Sequence, residues 1–208
     1  MIEVTKGRDN MNLAEKFTYM VTGQPYDDSD PLLVAARDRS TAKTNAVNAA
    51  PTMAERSHLF QALVGSTGAH PQIEPNFRCE FGTNIHVGDN FYANYDCVIL
   101  DGARVTVGDD VLFGPKVGLY TSNHLFAAAE RQLGGCIAKP ITIGDRCWLA
   151  ANVSVCPGVT IGADTIIGAG SVVTHNIPAS VIAAGNPCQV LRPITAADKT
   201  GFVGQDFI

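Results

Sequence analysis

A six-residue repeat constrains the fold of this chain more than any other feature. An aliphatic residue followed by a small or polar one recurs without a slip at Ile143, Leu149, Val155, Ile161, Ile167 and Val173. A period this short predicts a parallel β-helix, in which each repeat forms one side of a coil and buries its apolar residues only against neighbouring repeats. Three hexads per turn would give a triangular coil of roughly eighteen residues per rung and about five rungs.

The same phase continues upstream with a short interruption. The predicted inward residues before the interruption are Phe81, Val87, Ala93 and Ile99. Val107 follows Ile99 by eight positions rather than six, which predicts two extra residues in a corner bulge near residues 101–102.

A second interruption is longer. Residues 122–139 contain no hexad, yet the spacing from Leu119 to Ile143 is a multiple of six. We therefore expect a long, structureless loop that leaves the coil after Leu119 and rejoins it in register. A loop of this length in a compact domain usually has a function.

The segments before and after the repeats differ from the coil. A helix is predicted to start at Asp30-Pro31, and Met53, Leu59, Phe60, Leu63 and Val64 form an apolar stripe typical of a second helix. We predict an N-terminal helical cap region at 1–70, a β-helix at 71–195 with its long loop at 122–140, and a C-terminal tail at 196–208.

Composition excludes several classes of partner. The 208 residues include 15 basic and 20 acidic ones, giving a formal charge of -5 without a basic run, so we expect neither nucleic acid nor an anionic membrane as a partner. The first thirty residues lack a signal-peptide pattern, and no segment approaches the roughly 18 to 20 apolar residues of a membrane span. The sequence thus predicts a cytoplasmic protein.

The six cysteines form no C-x-x-C pair, which argues against the common zinc and redox motifs. Cys79, Cys97 and Cys147 fall on the second inward position of the repeat, where they are expected to act as small core residues. We expect no metal site.

Four short motifs accompany the repeats. They are Asn90-Phe91-Tyr92-Ala93-Asn94-Tyr95-Asp96-Cys97, Thr121-Ser122-Asn123-His124, Pro140-Ile141-Thr142-Ile143-Gly144 and Ala183-Ala184-Gly185-Asn186-Pro187. Together with residues 23–31 they resemble the maltose and galactoside O-acetyltransferases, within the hexapeptide-repeat acyltransferases. The resemblance implies a left-handed parallel β-helix, a handedness that the period alone does not fix. It also implies a homotrimer with active sites between subunits, where acetyl-CoA meets a sugar acceptor.

Within this resemblance, His124 matches the catalytic general base. A sugar hydroxyl is a poor nucleophile until its proton is removed, and a histidine titrates in the range suited to that step. The alternative for His124 is an exposed loop histidine without a catalytic role.

Five residues match the acceptor side of the family's site: Asp28, Arg37, Glu80, Tyr92 and Asn94. Each also has a structural interpretation. Asp28 could cap the helix ahead of Pro31, Arg37 could lie on a solvated helix face, and Asn94 could serve turn chemistry. Glu80 could be an ordinary corner carboxylate and Tyr92 part of an aromatic rim, both of which are common on any coil. The motifs at 77–80 and 96–101 resemble the maltose-type branch more closely than the galactoside branch.

Six residues match the cofactor side: Trp148, Ala151, Ala169, Thr174, His175 and Arg192. The resemblance implies that Trp148 lies beside the pantetheine arm and that the last three flank the nucleotide and its phosphates. Packing between subunits is the alternative for Trp148, and ordinary polar surface positions are the alternative for the last three. His175 and Gln189 replace a common lysine and arginine, which predicts weaker binding of coenzyme A.

The sequence therefore favours a sugar O-acetyltransferase that works by direct transfer, with no acyl-enzyme and no role for Cys136 as nucleophile. A hexapeptide acyltransferase acting on a non-sugar hydroxyl or an amine is one alternative, and a non-catalytic scaffold is another. A γ-type carbonic anhydrase would need three zinc histidines, and the five histidines here include no close pair.

Overall fold

The computed structural model describes residues 10–202. Residues 1–9 and 203–208, the outer parts of the predicted cap region and tail, lie outside the described residues. Four α-helices and one 3₁₀ helix are present in the described part: α1 Leu13–Met20, α2 Pro31–Ala49, α3 Met53–Leu63, α4 Ala128–Gln132 and the 3₁₀ turn Ala196–Asp198.

Short parallel strands form the three faces of a coil, which confirms the predicted β-helix. The first face consists of β2 Ser66–Thr67, β5 Ile85–Val87, β8 Val105–Val107, β13 Ile141–Ile143 and β16 Thr160–Ile161. The second face consists of β3 Gln72–Ile73, β6 Tyr92–Ala93, β9 Leu112–Phe113, β14 Trp148–Leu149, β17 Ile166–Ile167, β19 Val181–Gly185 and the antiparallel β20 Cys188–Pro193. The third face consists of β4 Arg78–Cys79, β7 Val98–Leu100, β10 Gly118–Tyr120, β15 Ser154–Val155 and β18 Val172–Val173.

Strand register gives the length of each rung. Thr142 pairs with Thr160, eighteen positions on, as the hexad predicts. Earlier rungs are two residues longer: Ile85 pairs with Val105, twenty positions on. One extra pair of residues is the predicted corner bulge near Asp101.

A second corner bulge was not predicted, and the phase assigned to Phe81 is wrong. Cys79, rather than Phe81, pairs with Ile99 and holds the corresponding position on the third face. Phe81 is buried in a separate cluster outside the coil, where its ring lies 5.0 Å from that of Phe17 in an edge-on contact. Cysteine and phenylalanine are both apolar, so the hexad pattern did not distinguish Cys79 from Phe81.

The long interruption rejoins the coil in register, as predicted, but it is not a structureless loop. Residues 122–124 and 135–138 form a β-hairpin, β11 Ser122–His124 with β12 Gly135–Ala138, and α4 lies at its tip. The strand β1 Tyr26–Asp27 pairs with the other edge of β12, which gives a three-stranded antiparallel sheet. We call residues 122–139 the hairpin arm.

The coil encloses one apolar core, and α3 covers its open end. Phe60 of α3 makes an edge-on contact with Phe77 at 5.3 Å, and Phe91 continues the contact to Phe113. Cys97 and Cys147 are buried in this core as predicted, whereas Cys79 is half-buried beside the hydroxyls of α2. Each fully buried aliphatic side chain stabilises the coil by about 1.5–3 kcal/mol.

A second, smaller core joins the N-terminal helices to the hairpin arm. Its buried members are Met20, Tyr26, Leu33, Ala36, Phe81, Ala103, Cys136 and Ala138. This core fixes α2 and β12 against the bulged corners of the coil. Among residues 10–202, no helix is both long and apolar enough to span a membrane.

Candidate active site

The guanidinium of Arg37 joins two carboxylates at the edge of the second core. Its Nε donates to Glu80 Oε1 at 2.9 Å, and its Nη1 donates to the Asp28 carbonyl at 2.7 Å, while Nη2 pairs with the Asp28 carboxylate. The guanidinium carbon also lies 5.1 Å from the centre of the Phe81 ring, a cation–π contact. Arg37 is therefore half-buried in a network rather than part of a solvated helix face.

The structural alternative for Asp28, a role as the cap of α2, can be compared with the contacts. The residue that caps α2 is Asp30, whose carboxylate accepts from the Leu32 N–H at 2.9 Å, so Asp28 does not serve as the cap. Burial raises the pKa of the Glu80 carboxyl above its usual value, against the opposing effect of Arg37. Two carboxylates share one guanidinium here, so the cluster has an excess of acidic groups.

His124 lies on β11 and is exposed to solvent. Its Nδ1 lies 3.1 Å from the Cys136 sulfur, on the neighbouring strand, where the two residues form a cross-strand pair. Burial, together with the charges of Asp28 and Glu80, raises the pKa of the Cys136 thiol to about 11. The thiol is therefore protonated at neutral pH, which agrees with the expectation that it is not a nucleophile.

Two hydroxyls fill the space beside Gly102. The Tyr26 hydroxyl donates to Ser122 Oγ at 3.3 Å, and a Cβ added at Gly102 would lie 2.1 Å from that oxygen. Burial raises the pKa of the Tyr26 phenol well above its usual value, so the phenol keeps its proton. Any side chain at position 102 would therefore require Ser122 to move.

Asp101 is fully buried and supports the backbone of the neighbouring corner. Its carboxylate accepts from the backbone N–H groups of Glu80 at 3.1 Å, Phe81 at 2.8 Å and Asn84 at 3.2 Å. Burial raises the pKa of the Asp101 carboxyl, and the N–H groups of Phe81 and Asn84 oppose the rise. The bulged corner therefore fixes Glu80 in front of Arg37.

The second face presents an apolar column to solvent. Outward residues on successive strands are Tyr92, Leu112, Trp148 and Ile166, in register with one another. Leu112 and Trp148 are each 47% exposed, a high value for residues of this size. Trp148 points outward, as its place in the hexad predicts.

Asn94 lies at the corner after β6, beyond the half-buried Tyr92. Its side-chain oxygen accepts from the Tyr95 N–H at 2.8 Å, which is turn chemistry. Within residues 10–202, no hydrogen bond connects Asn94 or Tyr92 to His124 or to Arg37. A single chain thus brings Asp28, Arg37 and Glu80 together, but leaves these two on another edge of the coil.

The remaining cofactor-side candidates are exposed and lie on three different edges. Ala151 and Ala169 are stacked one rung apart at the corner after the second face, where the Gly170 N–H donates to the Ala151 carbonyl at 2.9 Å. Thr174 and His175 follow the third face, and their side chains contact each other at 3.3 Å.

Arg192, on β20, forms an ion pair with Asp198 at 2.7 Å. No group of three or more histidine, cysteine or acidic residues able to hold a metal is found among the described residues.

Known proteins match both the coil and its N-terminal cap. The family model "Bacterial transferase hexapeptide (six repeats)" matches residues 140–175, and "Maltose acetyltransferase hexapeptide capping motif" matches residues 19–68. A putative acetyltransferase of Saccharomyces cerevisiae is 45% identical over 184 residues, covering 87% of this chain and 94% of the relative. The chain belongs to the maltose/galactoside O-acetyltransferase family.

Two solved structures support this family assignment. A maltose O-acetyltransferase from Clostridium difficile 630 is 40% identical, with a TM-score of 0.84 over 86% of this chain and 97% of that one. A galactoside acetyltransferase in complex with coenzyme A is 36% identical, with a TM-score of 0.85 over 95% of this chain and 98% of that one. As a member of this family, the protein is an acyltransferase.

Sequence reasoning missed several residues of this acetyltransferase that surround the predicted ones. Cys136 contacts His124, Tyr26 donates to Ser122 on the same strand as His124, and Asp101 supports Glu80. Only the bulge at Asp101 had a signal in the hexad phase. The other contacts depend on pairing between β1, β11 and β12, and their register cannot be read from the repeat.

Proposed function

We propose that the protein transfers an acetyl group from acetyl-CoA to a hydroxyl of a maltose- or glucose-like sugar. The observation that carries this proposal is the position of His124, an exposed base on the hairpin arm, whose partner Cys136 lies within the influence of the charges of the half-buried cluster of Asp28, Arg37 and Glu80. A base next to fixed carboxylates suits a polyol acceptor, because carboxylates accept strong hydrogen bonds from sugar hydroxyls.

In this mechanism His124 removes the proton of the acceptor hydroxyl as the oxygen attacks. Acetyl-CoA supplies an activated thioester carbonyl. Nε2 of His124 is the reactive atom, since Nδ1 contacts Cys136 and Nε2 makes no hydrogen bond within the described part of the chain. Asp28 and Glu80 orient the sugar, and Arg37 holds both carboxylates in place.

The second face fits part of coenzyme A. The exposed Leu112 and Trp148, with the half-buried Ile166 in register, offer apolar contact to a pantetheine arm, and the corners at Ala151 and Ala169 let backbone groups approach closely. The fit to the phosphates is weaker. Arg192, the remaining predicted cation, is paired with Asp198, which agrees with the low affinity expected from His175 and Gln189.

We also propose a homotrimer in which the site is completed between subunits. The support is the exposed apolar column, which would be covered by a neighbour or by the cofactor, and the separation of Asn94 and Tyr92 from His124 within one chain. Sedimentation velocity tests the assembly, and a monomer at micromolar concentration would contradict it. The cytoplasmic location remains a prediction from the sequence.

The activity is tested by following coenzyme A release from acetyl-CoA with a panel of sugars. Replacing His124 by Ala should lower turnover by at least about 10²-fold, the lower end of general-base catalysis. The matched control is His86→Ala, which removes a histidine from the first face, where its partner is Ser66 at 2.8 Å. Equal turnover in His124→Ala and wild type would refute the role of His124.

The acceptor panel also separates the alternatives. Activity confined to non-sugar hydroxyls or amines would replace the sugar assignment while keeping the base. No coenzyme A release above background with any acceptor would support a non-catalytic scaffold.

A further inference from the structure

We propose that the Cys136 thiol is the positioning partner of His124, accepting a hydrogen bond from Nδ1–H so that Nε2 faces the acceptor as the free base. This inference rests on the proposed function. It concerns the 3.1 Å contact between Cys136 Sγ and His124 Nδ1. The role is that of a neutral orienting group, because His124 has no carboxylate partner within the described residues.

The two sides of this contact differ in rigidity. Cys136 lies on β12, the central strand of the small sheet, with β1 on one side and β11 on the other. Its side chain is only 3% exposed and packs in the second core with Tyr26 and Ala138. His124 is exposed on an edge strand, where an unsupported imidazole would sample several rotamers. The fixed thiol therefore restricts a side chain that has little other support.

The chemistry of the two groups determines the direction of the hydrogen bond during catalysis. A neutral imidazole carries one N–H, and the hydrogen bond at one nitrogen selects the form available at the other. Once His124 has taken the acceptor proton, both ring nitrogens are donors, and the sulfur can only accept. The contact is thus favourable in the protonated form that develops as the hydroxyl attacks.

Burial, with the surrounding charges, keeps the thiol neutral. Burial raises the pKa of Cys136 to about 11, with Asp28 and Glu80 adding to the rise. A thiolate would form an ion pair with the imidazolium and would also be a competing nucleophile. A neutral thiol orients His124 without either effect.

The test compares Cys136→Ala with Cys136→Ser and measures kcat, both KM values and the ¹⁵N shifts of the His124 ring. Loss of the sulfur should lower kcat about tenfold, part of the 10²–10⁴ due to a placed base. Both KM values should change by less than about twofold, because ground-state binding is untouched. Serine keeps an acceptor at this position and should recover part of kcat.

The ¹⁵N spectrum reports the contact independently of activity. In the wild-type protein the neutral His124 ring should have its proton on Nδ1, and Cys136→Ala should shift the population towards Nε2–H. The His124 signals are assigned by their absence in His124→Ala. The matched control is Cys188→Ala, which removes another buried thiol, on β20. This substitution should change neither kcat nor the His124 spectrum.

Two outcomes would overturn the inference. One is a wild-type kcat in folded Cys136→Ala, and the other is a His124 spectrum that is the same in wild type and Cys136→Ala. A structural role alone would lower thermal stability but leave kcat per folded molecule and the ring spectrum unchanged. If the wild-type protein transfers acetyl to no acceptor, the proposed function fails, and the spectrum still decides whether the thiol orients the ring.

Discussion

Arg37 determines the charge balance of the candidate acceptor pocket. Its guanidinium reaches Glu80 through Nε and Asp28 through both Nη atoms, so one side chain holds two acidic groups at fixed positions. Such a fork cannot be reproduced by the single ammonium of a lysine. The chemistry of the pocket therefore depends on the shape of the cation as well as its charge.

Arg37→Lys should raise the KM for the sugar acceptor by roughly tenfold while changing kcat much less, because the carboxylates that orient the sugar lose their common support. Initial rates with varied acceptor at saturating acetyl-CoA provide the measurement. Arg39→Lys, an exposed position on the same helix, is the matched control. An unchanged acceptor KM in Arg37→Lys would show that Asp28 and Glu80 are held without it.

For single residues, the sequence predicted those that belong to a motif. It did not predict contacts that depend on strand pairing. Asp28, Arg37 and Glu80 were assigned to one pocket through their motifs, and the fold does bring them together. Cys136 was considered only as a nucleophile, since nothing in the sequence shows that it pairs with His124. That pairing follows from the register of an irregular hairpin.

At the scale of single elements, the start of α2 connects the N-terminal helices. Asp30 caps α2 through the Leu32 N–H and also accepts a 2.6 Å hydrogen bond from Lys16 of α1. Burial raises the pKa of the Asp30 carboxyl, but the hydrogen bonds from Lys16 and Leu32 outweigh it and hold the pKa below its ordinary value of 3.8.

The folded state therefore binds the Asp30 proton less tightly than the unfolded state. Its contribution to stability is present above about pH 4 and is lost as the pH falls through the lowered pKa. Asp30→Ser keeps a capping oxygen but removes the ion pair, so it should lower the free energy of unfolding by about 1 kcal/mol at pH 7.

The difference between wild type and Asp30→Ser should shrink when urea unfolding is repeated near pH 3. Asp38→Ser, at an exposed position of the same helix, controls for the general loss of an acidic residue. A difference that stays constant from pH 7 to pH 3 would contradict the assignment.

Element prediction from the sequence succeeded for regular periods and failed at corners. The six hexad starts from Ile143 to Val173 are all buried, as predicted, and the Asp30-Pro31 start predicted α2. Phe81 was assigned to the inward position that Cys79 holds. Two extra residues lie between Cys79 and Ile85, so counting back in sixes from the later strands reaches Phe81 and hides the bulge. Burial of Phe81 in another core depends on the N-terminal helices, whose position has no signal in the hexads.

For the whole molecule, the coil and the hairpin arm have separate roles. The coil is continuous on either side of the arm, since Val105 pairs directly with Ile141 although they are distant in sequence. The Lys139 N–H donates to the Thr121 carbonyl at 2.8 Å, so the two ends of the arm meet. The arm contributes His124 and Cys136 to the candidate site, while the coil contributes only its outer surface.

A variant in which residues 122–139 are deleted, joining Thr121 to Pro140, should therefore still form the coil. Without the arm, the rung between Val105 and Ile141 has eighteen residues, like the later rungs. We expect a retained β spectrum and cooperative unfolding, with a loss of about 1–3 kcal/mol because Cys136 and Ala138 leave the second core. Acetyl transfer should be abolished together with His124.

Deletion of Leu112 alone is the contrasting control. Leu112 lies within a strand rather than at a corner. Its removal therefore moves the following inward residues to outward positions and the outward residues to inward positions. We expect this single deletion to disrupt folding more than removal of the whole arm, measured by circular dichroism and thermal unfolding. The reverse order of stability would mean that the arm, rather than the stacking register of the hexads, holds the two halves of the coil together.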